Sequence, residues 1–272
     1  MNPLTLVIGG TGKTGRRLVQ RLTAQERPVR IGSRSGGVPF DWEDPATWGP
    51  AFEGVDAAYI SYYPDLAAPG APAAIGALAE TAMKAGARRL VLLSGRGEEE
   101  ARAGERALAA SGADWTVLRC SWFNQNFSED YLLDSVLAGH VYLPAGEVEE
   151  PFLDADDIAD AAAAVLTQDG HIGQVYELTG PRLLTFADAV AAIAAATGRT
   201  IGYTRVPVED FSASLTSEGV PGDVVGLLTY LFTSVLDGRN AHVCDGVQRV
   251  LGRPARDFAD YARNTAATGV WG

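Results

Sequence analysis

Leu4-Thr5-Leu6-Val7-Ile8-Gly9-Gly10-Thr11-Gly12-Lys13-Thr14-Gly15 is the stretch on which the reading of this chain turns. An apolar run over residues 4–8 meets a glycine cluster, and a helical pattern with Leu18, Val19 and Leu22 on one face follows at once. Gly9, Gly12 and Gly15 recur at every third position. The spacing predicts a buried strand, a tight turn and a helix whose N-terminus faces the turn. Where side chains are missing, the backbone turns sharply and a phosphate can approach it. The free N–H groups and the dipole at the helix start favour an anion there. A glycine trio points to a dinucleotide only where it follows a strand and opens a helix, which is the context here. Gly12-Lys13-Thr14 also resembles the end of a triphosphate-binding loop. That loop requires a glycine at position 7, and Val7 stands there, inside the strand.

Working outward, further strands are expected at 29–33, 55–61, 89–93 and 115–118, with helices at 45–53, 72–85 and 98–110 between them. Phe40-Asp41-Trp42 is either a short third strand or the loop after it. Strands alternating with helices at this spacing indicate parallel βαβ units, and the apolar strand runs suit a sheet covered on both faces. Beyond residue 140 the rhythm loosens. Asp154 caps a helix carrying Ile158, Ala162 and Val165, and residues 174–178 form another strand. Thr185-x-x-Asp188 has the spacing of a capping box, residues 201–205 form a short strand, and the remainder reads as mostly helical. The expected fold is α/β, a doubly wound parallel sheet over residues 1–180 with a smaller, mostly helical lobe over 181–272.

The 272 residues, 47% of them hydrophobic, suffice for a sizeable core. A net charge of −12, from 34 acids against 22 bases, disfavours nucleic acid and anionic lipid as partners. Two cysteines, Cys120 and Cys244, make no disulfide framework or zinc spacing, so a reducing cytoplasm is the default. No signal-peptide pattern opens the chain. The apolar segment 224–236, with Leu227, Leu228, Leu231 and Phe232, is too short to span a bilayer; it roofs a pocket, contacts a second subunit or packs within its lobe.

With these residues in view, the chain resembles an atypical short-chain dehydrogenase/reductase of the NmrA-like group. The resemblance rests on Gly9 to Gly15 after the first strand, on Gly54-Val55-Asp56-Ala57, and on Ser111 to Arg119 leading to Trp122-Phe123-x-x-Asn126-Phe127. Asp156-Asp157-Ile158-Ala159 and Tyr176 to Pro181 continue it, so that nearly the whole length is covered. It implies a Rossmann sheet with a small C-terminal substrate lobe, and either an NAD(P)H-dependent reductase, for example of quinones, or a nucleotide-sensing regulator.

NAD-preferring folds place an acid near the end of the second strand. Gly32-Ser33-Arg34-Ser35 stands there instead, so Arg34, with a hydroxyl from Ser33 or Ser35, is the expected partner of an NADP 2′-phosphate. Gly9, Thr11, Gly12, Lys13, Thr14 and Gly15 would hold the pyrophosphate. The resemblance implies an adenine contact for Asp41 and Trp42, and ordinary packing is the other role open to Trp42. The strand-end rule puts Ser61, Tyr62, Tyr63, Ser94 and Gly95 on the nicotinamide side.

Typical short-chain dehydrogenases use a Tyr-x-x-x-Lys pair for proton transfer. This chain has only Lys13 and Lys84, preceded four residues earlier by Gly9 and Glu80, so that pair is excluded. The run Glu98 to Glu100 reads as a solvated helix start. The three histidines, His140, His171 and His242, are scattered and predict no metal site. What remains is a reductase whose cofactor supplies hydride to a small quinone, enone or carbonyl, with hydrogen-bond donors at the acceptor's oxygen. Ser94 is the first candidate, followed by Tyr62 or Tyr63 and by Asn124 or Asn126. Asn126 could equally hold a turn. Trp122, Phe123 and Phe127 either wall the substrate pocket or fill the core. A non-catalytic NADP redox sensor acting through a partner and a redox-neutral cyclase or isomerase are the other functions this pattern allows.

Overall fold

The structure is a computed structural model that describes residues 3–272. In chain order its elements begin with β1 (Thr5–Ile8), α1 (Lys13–Ala24), β2 (Val29–Ser33), β3 (Val38–Pro39) and α2 (Trp48–Phe52). Next come β4 (Ala57–Ile60), α3 (Ala71–Ala85), β5 (Arg89–Gly95), α4 (Ala101–Ala109) and β6 (Asp114–Cys120). They are followed by α5 (Asn126–Glu129), α6 (Leu133–Ala138), β7 (His140–Leu143), α7 (Ala155–Thr167) and β8 (Gln174–Leu178). The chain ends with α8 (Phe186–Thr197), β9 (Gly202–Arg205), α9 (Val208–Ser217), α10 (Gly222–Tyr230), α11 (Gly246–Leu251) and α12 (Phe258–Ala266).

The chain forms two compact units. One holds the described residues up to Cys120 together with Ala155–Leu178 and Asp245–Pro254; the other holds Ser121–Asp154, Thr179–Cys244 and Ala255–Gly272. This division is discontinuous, whereas the sequence suggested one boundary at residue 180. A reason lies in α11: Val247 and Val250 are buried, and Arg253 beyond it pairs with Asp157 (2.8 Å) and Asp160 (2.6 Å) of α7. Those apolar and ionic contacts bind the 245–254 segment to the sheet-containing unit.

In that unit, among the described residues, seven strands form one parallel sheet in the order β3-β2-β1-β4-β5-β6-β8. β1 lies in the interior and is buried at all four positions. A parallel strand covered on both faces needs apolar side chains on both, which is why residues 4–8 read as a continuous run rather than an alternation. Leu6, Ile8, Ala58, Ile60, Leu90 and Leu92 pack with Phe52, Ile75, Leu78 and Leu108 from the α2, α3 and α4 layer. On the opposite layer α1 lies along α7. Their facing surfaces are joined by Arg21, whose guanidinium donates to Asp160 (2.8 Å) and to Asp156.

The other unit is built on aromatic rings. Phe127, Phe152, Phe186 and Phe258 are buried together, with Trp271 completing the cluster. Trp271 donates its indole N–H to the Phe127 carbonyl at 2.8 Å, and Tyr261 donates to Ser128 Oγ at 2.7 Å. β7 and β9 form a two-stranded parallel ladder; β7, which the sequence reading left unassigned, alternates buried Val141 and Leu143 with exposed Tyr142. No helix of the described residues is long and apolar enough to cross a membrane.

The capping box at the start of α8 is present: Thr185 Oγ1 accepts from Asp188 N, and Asp188 Oδ2 accepts from Thr185 N, each at 3.0 Å. Thr185→Ala should therefore lower stability by about 1 kcal/mol in urea denaturation. The Thr185 hydroxyl and N–H hold the Asp188 carboxyl below its ordinary range. A depressed carboxylate contributes stability above its unfolded range that is lost as pH falls, so the difference between wild type and variant should shrink in acid.

The third strand is Val38–Pro39, and residues 40–42 lie in the loop after it, one of the two readings open for them. One boundary differs from expectation. α4 begins at Ala101 rather than at 98, because Gly97 takes a left-handed φ of +82° and turns the chain before the helix starts. The Glu98 to Glu100 run therefore precedes the helix, and it is only partly solvated: Glu99 and Glu100 are exposed, whereas Glu98 is 8% exposed.

Candidate functional site

The glycine turn has the geometry its spacing implies. Gly9 adopts a left-handed φ of +73°, its N–H donates to the Gly32 carbonyl (3.0 Å), and its own carbonyl accepts from Gly12 N–H (2.9 Å). Gly15 is fixed by packing: a Cβ there would stand 2.2 Å from the Gly9 oxygen and 2.8 Å from Gly10 Cα. Gly12 is the N-cap of α1, has no side-chain cap, and is followed by a first turn without an acid. The N–H groups of that turn thus face no competing carboxylate of their own helix. Thr11 is exposed, whereas Thr14 is buried and accepts a hydrogen bond from Tyr59 Oη at 3.0 Å. Burial holds that tyrosine phenol protonated far above its ordinary range, so it acts here as a brace. Lys13 puts a cation at the positive end of the helix dipole, an arrangement that a bound anion would stabilise.

At the end of β2, Ser33 Oγ accepts from Ser35 N (3.2 Å) and Gly36 N (2.9 Å) and donates to the Gly36 carbonyl (3.0 Å). Its hydroxyl shapes the loop. Arg34 stands exposed on that loop, its guanidinium 5.0 Å from the ring centre of Tyr63, and no carboxylate among the described residues pairs with it.

Asp41 and Trp42 have structural partners. The Asp41 carbonyl accepts from Trp48 Nε1 (2.7 Å) and its carboxylate accepts from Glu43 N (3.1 Å). Trp42 donates to the Ser61 carbonyl (3.2 Å) and packs against Phe40, Trp48 and Tyr62. Ser61 in turn lies beside the turn, its Cβ 3.3 Å from where a Gly9 Cβ would be. Gly9, Ser61, Trp42 and Tyr62 are thus one neighbourhood. Burial, then Glu43, raises the Tyr62 phenol above its ordinary range, which makes it a poorer proton donor near neutral pH.

Ser94, at the end of β5, is buried and donates to Glu105 Oε1 at 2.6 Å. Its proton is therefore directed to a carboxylate and not towards an acceptor. Glu105 also takes the Arg119 fork, Nε to Oε1 at 2.8 Å and Nη2 to Oε2 at 2.5 Å. Arg119 continues to Glu177 (3.2 Å), which pairs with Arg96 (3.3 Å). This chain of two cations and two anions under the strand ends escaped the sequence reading because its members are far apart in sequence. Beside it, the Glu98 carboxyl folds back over Gly95, with Oε1 2.0 Å from where a Cβ on that glycine would be. The sequence carried one sign of this, the Gly95-Arg96-Gly97 turn before Glu98.

In the aromatic unit, Trp122 is half-buried against Phe186 and Phe232, with ring centres 5.2 and 5.0 Å away. Phe123 is half-buried; Phe127 is fully buried among Phe152, Phe186 and Phe258, so its part is core packing. Asn126 opens α5 and holds a turn, donating its N–H to the Phe123 carbonyl (3.1 Å) and accepting from Leu132 N (3.3 Å). Asn124 is fully buried, and neither atom of its side-chain amide has a hydrogen-bond partner among the described residues. A buried amide of this kind costs stability unless a ligand or water pairs with it.

A cleft of about 480 Å³ lined by Arg21, Arg27, Asp160 and Arg253 lies at the C-terminal end of α1. The helix has 12 residues, which puts this cleft ~18 Å from the glycine turn at its N-terminus.

The turn, the helix start without a side-chain cap and the exposed Arg34 suit a dinucleotide. Residues 9–169 match the family model described as NAD(P)H-binding. The chain is 32% identical to the oxidoreductase YesF of Bacillus subtilis, over 99% of this chain and 98% of that protein. It is 31% identical to an NAD(P)H azoreductase of Xenophilus azovorans, over 97% of this chain and 98% of that protein. Its fold is shared with an NADPH-dependent quinone oxidoreductase of Escherichia coli in complex with NADPH (TM-score 0.77, 23% identity, 96% of this chain and 99% of that one). This chain belongs to the NAD(P)H-binding family, has the NmrA-like Rossmann fold, and is an NAD(P)H-dependent oxidoreductase.

Proposed function

We propose that this oxidoreductase uses NADPH in preference to NADH and reduces a small, electron-poor acceptor: a quinone, an enone or an activated carbonyl. The observation that carries the cofactor choice is Arg34, a guanidinium with no carboxylate partner among the described residues, at the end of a β2 strand that lacks the acid suited to a ribose hydroxyl. The acceptor class is supported by the missing Tyr-x-x-x-Lys pair and by the relatives, an azoreductase and a quinone oxidoreductase in name.

When bound, NADPH supplies a hydride. The chain's part is to hold and orient. Gly9 to Gly15 would hold the pyrophosphate on backbone N–H groups at the start of α1, and Arg34 would pair with the 2′-phosphate. Ser61, Tyr62 and Gly95 would stand on the nicotinamide side. Ser94 is a positioning residue that keeps Glu105 in place.

Arg34→Ala should weaken NADPH binding about 10- to 100-fold and leave NADH binding nearly unchanged, read by nucleotide fluorescence titration. Equal losses for both nucleotides would remove the 2′-phosphate assignment. The reductase reading is tested by NADPH consumption with a panel of quinones, enones and aldehydes. Tight NADPH binding with no turnover on any of them overturns it.

A further inference from the structure

We propose that Glu98 and Asp65 form a proton-supply pair at the end of β5, with Glu98 the residue that delivers the proton accompanying hydride to the acceptor. The inference rests on the reductase reading above and adds the acid that reading lacks.

Four observations carry it. The Glu98 carboxyl lies over Gly95, the last residue of β5, where only the absence of a Cβ gives it room. In an open parallel sheet the carboxyl ends of the strands are where the ligand binds, so the carboxyl stands at the reacting edge and not in a remote core. Glu98 is 8% exposed, and its Oε2 has no hydrogen-bond partner among the described residues. Finally, the Asp65 carboxyl acts on Glu98 from the loop after β4; Asp65 is only partly buried and accepts from Ala67 N at 2.8 Å. Asp65 thereby gives the buried carboxyl a titratable neighbour within reach of solvent.

The charges around the pair favour the protonated form. Asp65 faces Glu98 from the loop after β4, Glu100 from its own turn, Glu105 from α4 and the Cys120 thiol from β6. Two cations of the strand-end network, Arg119 and Arg96, are engaged by Glu105 and Glu177. Burial, and then the Asp65 charge, hold the Glu98 carboxyl well above the carboxylate range; burial raises Asp65 as well. Two neighbouring carboxyls raised in this way favour sharing one proton between them.

The step balances. The acceptor gains a hydride, two electrons with one hydrogen nucleus, from the nicotinamide. The O–H bond of Glu98 breaks as its proton passes to the acceptor's negatively charged oxygen. The carboxylate left behind is reprotonated from solvent through Asp65. The sum is NADPH + H⁺ + acceptor → NADP⁺ + reduced acceptor.

The test uses the full chain, with benzoquinone and cyclohexenone as acceptors. Glu98→Gln keeps the shape but cannot donate an acidic proton. It should lower kcat by about 100-fold or more while leaving the NADPH dissociation constant within about twofold, the margin set by the unchanged phosphate contacts. In wild type kcat should fall as pH rises through the pair's upper titration, since the donor is then ionised; in Glu98→Gln that limb should vanish, and in Asp65→Asn it should move. Infrared difference spectra of the chain without nucleotide give an independent readout. A protonated-carboxyl stretch should be present near neutral pH in wild type and missing from Glu98→Gln. Absence of that band in wild type overturns the proposal, as does a Glu98→Gln enzyme with unchanged kcat and pH profile. A wild type that binds NADPH yet reduces neither acceptor, nor any other in the panel, removes the reductase reading and this inference with it.

Discussion

Glu105→Ala should destabilise the sheet-containing unit by about 3 kcal/mol. Glu105 is buried and accepts three hydrogen bonds, from Ser94 Oγ and from the Nε and Nη2 atoms of Arg119. Truncation leaves the Arg119 guanidinium with Glu177 alone, at 3.2 Å, and leaves a buried serine hydroxyl without its acceptor. Removing one partner of a buried pair costs about 3–5 kcal/mol because the other charge stays desolvated. The lower end applies because the Arg119 side chain is still 18% exposed and Glu177 still pairs with it. Glu105→Gln, which keeps the shape and one acceptor oxygen, should lose less. The measurement is the urea midpoint of each variant; equal midpoints for wild type and Glu105→Ala would show that the network adds no net stability.

Gly15→Ala should remove measurable NADPH binding and lower stability by about 3 kcal/mol, at the upper end of overpacking costs. The new methyl would meet the Gly9 carbonyl at 2.2 Å and Gly10 Cα at 2.8 Å. Both are backbone atoms of the turn itself, so no side chain can rotate away. Either α1 shifts off β1 or the turn opens, and each moves the N–H groups that would hold the pyrophosphate. Gly12→Ala is the control. Its methyl would lie 3.3 Å from the same carbonyl, and Gly12 already has an extended backbone with φ −77°. It should fold nearly as well as wild type. Thermal unfolding with fluorescence titration separates the two. A Gly15→Ala chain that binds NADPH as wild type does would mean that the turn can relax without moving the phosphate site.

Much of the nucleotide half was readable from residue order because its determinants are local. A phosphate turn is a strand, three glycines and a helix start within a dozen positions, and the absence of an acid at Arg34 is equally local. The same holds for the Thr185–Asp188 box, where both partners lie within one helical turn. The roles of single side chains were less readable. Ser94 was the first choice for a donor because of its strand-end position, yet its hydroxyl is tied to Glu105, a residue of the next helix. Phe127 read equally well as pocket wall or core, and the rings of residues 152, 186 and 258 make it core. Trp42, Asp41 and Ser33 proved to have backbone partners that organise the loops they stand in.

Sequence alone determined the parallel sheet, the dinucleotide turn and the exclusion of a Tyr-x-x-x-Lys mechanism, since each depends on spacing along the chain. Only the tertiary structure decided the state of the acidic residues. Glu98 reads as solvated in a run of three glutamates. Its burial over Gly95 and its partnership with Asp65, 33 positions away, follow from the Gly97 turn and from the adjacency of the β4 and β5 ends. A carboxyl's charge is set by what surrounds it in space, and that information lies outside any local pattern.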